Sequence, residues 1–311
     1  MLYDLNVPWP TNNYTSKPTE EQLTSLRNTI ATLHSFGYTH IAINFTIDES
    51  IKIPTNGQVP VNPIDTKEVI DATKFPNLKL FTRVTIVIND PSQCQGLSKL
   101  QNSFDILAVQ PVSERALILC TTNLDIDLIS FSMGSKLPFF IKHKTVGSAI
   151  EKGIKFEICY SPMIGGSAAY TMSNDNLRLS STGQLIRKNF FNNALQLIRA
   201  SRSKGLIVSS GASQPLHVRN SSDIINLLKT LDLDSSRSKA CVTLNPEKVL
   251  ISGRLRVKSY KQTIQIDNDN KDNNVLINNS KENKKKLDSS AYKKRLDDTS
   301  SGRLLKKIRT K

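Results

Sequence analysis

The sequence predicts an α/β fold in which helices cover parallel strands on both faces. Apolar runs such as HIAINF (residues 40–45) are nearly continuous, which is the pattern of a strand buried on both sides. They alternate along the chain with segments of helical periodicity, of which residues 184–203 are the longest. Repeated units of this kind indicate either an α/β barrel or a doubly wound sheet, and periodicity alone does not distinguish the two.

The first strand–helix–strand unit sets the pattern. Residues 2–7 are predicted to form a strand, and the prolines that follow it limit further pairing. Thr19 with Gln22 three residues later forms a capping-box pattern, which predicts the start of a helix. Gly37 supplies the end of that helix, and the strand HIAINF follows.

The alternation continues to about residue 231. Further strands are predicted at residues 78–88, 104–111, 127–132, 155–160 and 205–211. Helical segments are predicted at residues 93–102, 113–118, 141–152, 184–203 and 222–231. Two stretches rich in Pro, Gly, Ser and Asn, residues 48–66 and 161–182, are expected to be loops.

The positive charge is concentrated at the C-terminal end. Residues 253–311 contain 17 Lys or Arg against 7 Asp or Glu, a net charge of +10 out of the +15 of the whole chain. The last part, residues 263–311, is rich in Asn, Asp, Lys and Ser and has too few apolar residues to offset the entropy of ordering it. We therefore expect a folded domain over residues 1–262 and a disordered basic tail over 263–311, with a polyanionic partner.

The cysteine pattern and the hydropathy exclude several classes of protein. The four cysteines lie far apart, without a CxxC pair or a nearby histidine to complete a zinc site: Cys94, Cys120, Cys159 and Cys241. No apolar stretch approaches the roughly 20 residues that a membrane-spanning helix needs, and no secretory signal is visible. We expect buried, reduced cysteines in an intracellular protein without a cofactor or a membrane partner.

Six strings in the sequence carry a family resemblance. They are LYDLNVPWP (2–10), YTHIAINFT (38–46), CTTNLDIDLISF (120–131), LPFFIKHK (137–144), KFEICYSP (155–162) and RASRSKGLIVSSGA (199–212). Together and in this order they resemble the thirty-kilodalton protein subunit of ribonuclease P and ribonuclease MRP, most closely its fungal nuclear form. The likeness covers roughly residues 1–262, whereas residues 163–182 and the tail fit it poorly.

The resemblance implies a fold and a function. It implies a TIM-barrel-like (β/α) domain related to the polymerase and histidinol phosphatase superfamily. The protein would be a noncatalytic subunit of a ribonucleoprotein whose RNA performs the cleavage, in precursor tRNA 5′ maturation and precursor rRNA processing. Its partners would be the structured RNA and small αβ protein subunits of the same complex, in the nucleus and within it the nucleolus.

The resemblance also implies a lost metal site. The phosphatase relatives end their first strand in D-x-H-x-H, where this chain has Asp4, Asn6 and Pro8. A second T-D-H-like string becomes residues 44–46, Asn-Phe-Thr, and a later S-D-A-H-like string becomes residues 210–213, Ser-Gly-Ala-Ser. Glu157 is the one plausible remnant, and a single carboxylate does not assemble a catalytic metal. No metal site is therefore expected.

Two groups of cations in the body are candidates for RNA contact. The first lies at the two ends of the predicted helix 184–203 and consists of Arg187, Lys188, Arg199, Arg202 and Lys204. A solvated helix end is an equally good interpretation, since cations also favour a helix C-terminus. The second lies in RLRVKSYK, interpreted as an extended segment, and consists of Arg254, Arg256, Lys258 and Lys261.

Arg83 is a separate candidate because it interrupts the apolar strand FTRVTIV. An arginine in that position needs a partner, which is either a buried carboxylate or an external phosphate. In the tail, two basic clusters resemble a bipartite nuclear import signal, and nonspecific RNA affinity predicts the same composition. The clusters contain Lys284, Lys285, Lys286, Lys293, Lys294 and Arg295.

Two alternatives remain open from the residues alone. One is a metal-dependent phosphoesterase with a degenerate site, in which Glu157 would be essential. The other is a general basic RNA-binding protein outside any fixed complex.

Overall fold

Seven parallel strands form one sheet in the computed structural model, which describes residues 1–14, 16–48, 61–69, 75, 77–89, 97–165, 183–260 and 264–265. The strands are β1 (Leu2–Pro8), β2 (Tyr38–Ile47), β3 (Lys79–Ile88), β4 (Ile106–Pro111), β5 (Leu128–Ser130), β6 (Lys155–Cys159) and β7 (Leu206–Ser209). They lie in the sheet in chain order, and each pairs in parallel with the next.

Helices connect the strands. They are α1 (Glu20–Ser35), α2 (Thr66–Val69), α3 (Leu97–Gln101), α4 (Glu114–Thr122), α5 (His143–Glu151), α6 (Ser161–Gly165), α7 (Gly183–Ser201), α8 (Ser221–Thr230), α9 (Ser235–Val242) and α10 (Leu244–Lys258). A short 3₁₀ helix spans Pro215–His217, and two short strands follow α10, β8 (Ser259–Tyr260) and β9 (Ile264–Gln265).

The sheet curls into a nearly closed barrel. The backbone N–H of Ser210, just after β7, donates to Oδ1 of Asp4 in β1 at 3.1 Å. The N–H of Gly211 donates to the backbone oxygen of Asn6 at 2.9 Å. The sequential strand order and this seam between the first and last strands confirm the predicted barrel and exclude the doubly wound sheet.

Alternation along the strands separates two cores. In β2, Ile41, Ile43 and Phe45 belong to the large core that also contains apolar side chains of the surrounding helices. Ala42 belongs to a smaller core of side chains from β1, β4, β5 and β7, including Leu5, together with Val249 of α10. Because successive strand residues point to opposite faces, the smaller core fills the barrel interior and the larger one surrounds it.

The predicted helix starts and faces are largely observed. Thr19 and Gln22 form the capping box at the start of α1, with side-chain to backbone hydrogen bonds of 3.0 and 3.4 Å. Gly37 follows α1 with a φ of +88°, a conformation that favours glycine. The apolar face predicted for residues 184–203 is buried on α7, at Ile186, Phe190, Ala194, Leu197 and Ile198.

The C-terminal part of the barrel domain differs from the prediction. The segment RLRVKSYK was interpreted as extended, but it is helical as far as Lys258, where α10 ends. Helices α9 and α10 were not anticipated. The missed signals are the N-cap Asp234, whose carboxylate accepts from the N–H of Ser236, and the Pro246–Glu247 pair in the first turn of α10.

The loop prediction is partly wrong at residue 161, because the short helix α6 begins there. The helical turn predicted at 113–118 extends to Thr122 as α4, and Ser113 caps it. The loop predicted at residues 48–66 is also too long by one residue, because helix α2 begins at Thr66. Residues 49–60 and 166–182 of the predicted loops lie outside the described residues, as do Cys94 and Lys261.

The barrel belongs to a compact unit that runs from Met1 to Ile264. Of the remaining unit, Gln265–Lys311, the structure describes Gln265 alone. The predicted disorder of residues 263–311 and the import clusters therefore stay predictions. Cys120 and Cys241 are buried, as expected, whereas Cys159 is only partly buried. Among the described helices, none is both long and apolar enough to cross a membrane.

Candidate nucleic-acid interface and barrel interior

An ion pair occupies the barrel interior. The guanidinium of Arg83, from β3, donates to both carboxylate oxygens of Glu157, from β6, at 2.6 and 2.7 Å. Both side chains are completely buried. Arg83 also donates to the backbone oxygen of Leu5 at 2.8 Å and to the hydroxyl of Thr85 at 3.1 Å. Of the two partners predicted for Arg83, the structure contains the buried carboxylate. Its side chain is out of reach of an external phosphate.

Amide side chains extend this network towards β1 and β2. The Asn6 amide donates to Oε2 of Glu157 at 3.2 Å, and the Asn44 amide donates to Oδ1 of Asn6 at 2.9 Å. The Thr85 hydroxyl donates to Oδ1 of Asn44 at 2.7 Å. The family resemblance implied that Asn6 and Asn44 stand at positions of lost metal ligands. It did not show that they form a hydrogen-bonded chain between Glu157 and Thr85.

Two buried carboxyl groups have opposite pKa shifts. Burial acts to raise the pKa of Glu157, but the charge and hydrogen bonds of Arg83 outweigh it, so that the pKa lies below its ordinary value. Burial raises the pKa of Asp4 to about 6, although its Oδ1 accepts from the N–H groups of Ser210 and Asn6. Asp4 lies where β1 meets the end of β7, and the protonation state of its carboxyl group therefore changes at mildly acidic pH.

The interior is suited to holding the barrel together rather than to binding a metal. Oxygens of Glu157 accept from Arg83 and Asn6, so they are already engaged by donors. Within the described residues, no three His, Cys, Asp or Glu side chains cluster in a way that would hold a metal ion. A divalent cation at Glu157 would have to displace a guanidinium that already neutralises it.

Arg256 also has a structural role. Its side chain donates to the Asp127 carboxylate at 2.8 Å and to the backbone oxygens of Gln101 and Asp105. The Arg256 and Asp127 side chains are only 6% and 7% exposed. Arg256 therefore attaches α10 to the barrel near the start of β5. This burial follows from the helical rather than extended backbone, and it leaves the predicted contact of Arg256 with RNA without support from the structure.

The cations of α7 lie on the surface. Arg187, Lys188 and Arg199 are exposed, as are Arg202 and Lys204 just after the helix. Lys188 and Arg199 are eleven residues apart, which places them on the same side of α7, about 17 Å apart along its axis. Arg187 donates to the backbone oxygen of Met163 at 3.1 Å and remains exposed. The structure thus brings two predicted cations into one stripe.

Further cations flank this helix. We call the exposed cations of residues 131–204 the basic face: Lys136, Lys142, Lys144, Lys152, Arg187, Lys188, Arg199, Arg202 and Lys204. In the described part of the same stretch, Glu151 is the only exposed acidic side chain. Glu114, from outside this stretch, pairs with Lys142 at 2.5 Å. The exposed cations of the stretch outnumber these two acids, and this excess favours polyanions over acidic or neutral ligands.

The remaining predicted cations are in or beyond α10. Arg254 is exposed on this helix and lies beside a cavity at the starts of β1 and β3. Lys258 is the last residue of the helix. RNA contact by Arg254, Lys258 and Lys261 stays a prediction.

Fold and surface together define a class of protein. It is a parallel α/β barrel with an ion pair and amides in its interior and a basic outer face around α7. The family described as RNase P subunit p30 matches residues 1–258 of this chain. The chain belongs to the RNase P subunit p30 family.

Relatives of known name support this assignment. The chain is 44% identical over 268 residues to Ribonuclease P/MRP protein subunit RPP1 of Saccharomyces cerevisiae, covering 85% of this chain and 84% of that protein. It is 31% identical over 242 residues to Ribonuclease P protein subunit p30 of Mus musculus, covering 76% and 84%. A chain in a cryo-EM structure of archaeal Ribonuclease P with mature tRNA shares the fold, with a TM-score of 0.55, 15% identity and coverage of 87% and 100%.

Proposed function

We propose that this chain is a noncatalytic protein subunit of the ribonuclease P and ribonuclease MRP ribonucleoproteins. In these complexes it supports precursor tRNA 5′ maturation and precursor rRNA processing. The observation that carries the proposal is the family match over residues 1–258, which includes every strand of the barrel. Relatives that cover most of the chain are named as subunits of these ribonucleases.

The barrel interior supports a noncatalytic role. In phosphatase-like barrels this region would carry metal ligands, but here Glu157 is neutralised by Arg83 and hydrogen-bonded by Asn6. The cleavage is then the task of the RNA component, and the protein contributes binding surfaces. Small αβ protein subunits of the same complex are the expected protein partners.

The basic face supplies the RNA-binding surface in this proposal. Its members Arg187, Lys188, Arg199, Arg202 and Lys204 are exposed, and each phosphate contact adds to the salt dependence of binding. Arg254, Lys258 and Lys261 are proposed as further RNA contacts. Arg83 and Arg256 are left out because their side chains are buried in ion pairs.

The nucleus, and within it the nucleolus, is the proposed location. It follows from the naming of relatives as RNase P/MRP subunits and from the basic tail clusters at Lys284–Lys286 and Lys293–Arg295. The same clusters would add nonspecific RNA affinity.

Affinity purification from cells at moderate salt, followed by sequencing of the bound RNA, tests the proposal. Recovery of one or two structured RNAs with a fixed set of protein subunits is the expected result. A diffuse RNA population would favour a general RNA-binding protein, and the absence of RNA would overturn the proposal.

A further inference from the structure

The segment between β5 and α5 displays an aromatic ring on the surface. Phe139 and Ile141 are buried, at 8% and 6% exposure, whereas Phe140 between them is 82% exposed. An aromatic ring of this size is normally buried, and exposure costs the free energy of keeping its apolar surface in water. The buried residues on either side fix the direction in which Phe140 points.

Hydrogen bonds from α7 hold this segment in place. The Asn193 amide donates to the backbone oxygens of Met133 and Ser135 at 3.0 and 2.7 Å, and the Asn189 amide donates to that of Gly134 at 3.1 Å. At the far end, Nδ1 of His143 lies 2.8 Å from the backbone oxygen of Ala200. Phe140 is thus presented by a segment that is fixed to α7 at both ends.

A groove runs between Phe140 and α7. It has a volume of about 630 Å³, within the range of pockets that take small molecules. Its lining includes the amides of Asn192 and Gln196, the guanidinium of Arg199 and the imidazole of His143. The groove therefore combines a stacking surface, hydrogen-bonding amides and a cation.

The charge around the groove indicates which occupant it fits. Arg199 lines it, and Lys142 and Lys144 are exposed in the adjoining segment. Lys142 pairs with Glu114 at 2.5 Å, so Lys144 and Arg199 carry the local excess charge. Among the described residues that line the groove, none is acidic. Aromatic rings beside cations are the combination that binds single-stranded RNA, since bases stack and phosphates pair with the cations.

We propose that this groove binds an unpaired nucleotide of RNA, with its base stacked on Phe140 and its phosphate beside Arg199. Asn192 and Gln196 face the edge of the base. The inference rests on the proposed RNA-binding function and specifies the kind of nucleotide that the basic face takes. A nucleotide in the interior of a duplex is excluded from stacking on Phe140 because both faces of its base are covered by the neighbouring base pairs.

Binding of labelled RNA to the full chain tests the site. The probes are a 12-nucleotide oligouridylate and an RNA duplex of 12 base pairs, measured by fluorescence anisotropy. Phe140→Ala is expected to weaken oligouridylate binding roughly tenfold, while duplex binding and the salt dependence stay unchanged. Arg199→Gln is expected to lower the salt slope for oligouridylate by about 0.7. Leu216→Ala, which removes an apolar side chain that is 79% exposed elsewhere, is the matched control.

A fluorescent variant tests stacking directly. The chain has one tryptophan, Trp9, which is buried. Phe140→Trp adds an exposed indole whose emission oligouridylate should quench, with affinity close to that of the native chain. Trp9 in the native chain gives the background signal.

Several outcomes would overturn the nucleotide site. If the native chain and Phe140→Ala bind RNA with equal affinity, the proposed nucleotide site is refuted while the proposed function stands. If Phe140→Ala keeps its RNA affinity but loses co-purifying protein subunits, the groove is a protein-docking site. If the chain purified from cells carries no RNA, the proposed function fails and the nucleotide site fails with it.

Discussion

Arg83 and Glu157 form a bidentate ion pair inside the barrel, with N–O distances of 2.6 and 2.7 Å, and neither side chain is exposed to solvent. The pair joins β3 to β6 across the interior, and the Asn6 amide bonds to the same carboxylate. Glu157, interpreted from the sequence as the one plausible remnant of a metal site, is here the partner of a guanidinium. The interior network is therefore structural.

Removing the charge of Glu157 should destabilise the fold strongly. Glu157→Gln leaves the Arg83 guanidinium buried without a counter-ion, and we expect a loss of about 3–5 kcal/mol in the free energy of unfolding. Urea denaturation measures this. The double variant Arg83→Met, Glu157→Met removes both charges and leaves neither of them buried without a partner. It should therefore recover much of the loss in the free energy of unfolding.

An exposed ion pair provides the control for that experiment. Lys142 and Glu114 lie 2.5 Å apart, but their side chains are 65% and 42% exposed. Glu114→Gln should change the free energy of unfolding by less than about 1 kcal/mol. Equal effects of the Glu157 and Glu114 substitutions would contradict a structural role for the interior pair.

Asp4 should make the stability depend on mildly acidic pH. Burial raises its pKa to about 6 in the folded chain, above the ordinary value of 3.8. Between these values the folded state holds a proton that the unfolded chain has released. The stabilisation of the folded state by the proton on Asp4 is thus fully present below about pH 4 and is lost as the pH rises through about 6.

Asp4→Asn removes this titration and keeps an oxygen that accepts from Ser210 and Asn6. The difference in unfolding free energy, native minus Asp4→Asn, should fall by up to about 3 kcal/mol between pH 4 and pH 7. Thermal unfolding across this range would show it. Two parallel profiles would show that Asp4 does not titrate in this window.

Two arginines that look alike in the sequence should behave differently. Arg256→Gln leaves the Asp127 carboxylate, 7% exposed, without its guanidinium, so we expect a loss of about 3–5 kcal/mol in stability. Arg199→Gln removes an exposed cation and should leave stability nearly unchanged while weakening RNA binding. Urea unfolding and an RNA-binding titration on both variants measure the two effects. A stable Arg256 variant with weakened RNA binding would restore the contact predicted from the sequence.

Gly253 should be intolerant of a side chain although it lies in a helix. Alanine normally stabilises a helix interior relative to glycine by about 1 kcal/mol. A Cβ at Gly253, however, would collide with the backbone oxygen of Asp105. We expect Gly253→Ala to destabilise the chain by about 1–3 kcal/mol, because α10 must move away from the barrel.

Gly147 in α5 is the matched control, since the nearest atom to its Cβ would be 4.0 Å away in the His143 side chain. Gly147→Ala should be neutral or stabilising by up to about 1 kcal/mol. Thermal denaturation of both variants makes the comparison. Stabilisation by both substitutions would show that α10 does not pack as closely as described.

The sequence predicted the alternation of strands and helices well because the strands are short apolar runs, whereas the choice of a barrel over a doubly wound sheet came from the family resemblance. The start of α1 at Thr19 and the buried face of α7 follow directly from local patterns. Helix α10 was missed because its basic residues alternate in a way that also suits an extended strand. Its true signal, Pro246 followed by Glu247 in the first turn, is local and easily overlooked.

The site was harder to predict because burial depends on tertiary contacts. Arg83 had two possible partners in the sequence, and only the strand order places it opposite Glu157. Arg256 and Arg254 differ by two positions, but a helix directs them to different environments. Phe140 and Phe139 are identical neighbours, and packing alone determines which ring is exposed.

The most direct test of the account is depletion of the protein in cells, with measurement of precursor tRNA that retains its 5′ leader. We expect precursor tRNA to accumulate and expression of the native chain to restore its processing. A chain carrying the double substitution Arg83→Met, Glu157→Met should also restore processing, provided that it folds, because the interior is structural. Unchanged precursor tRNA after depletion would contradict the account of this protein as a ribonuclease P subunit.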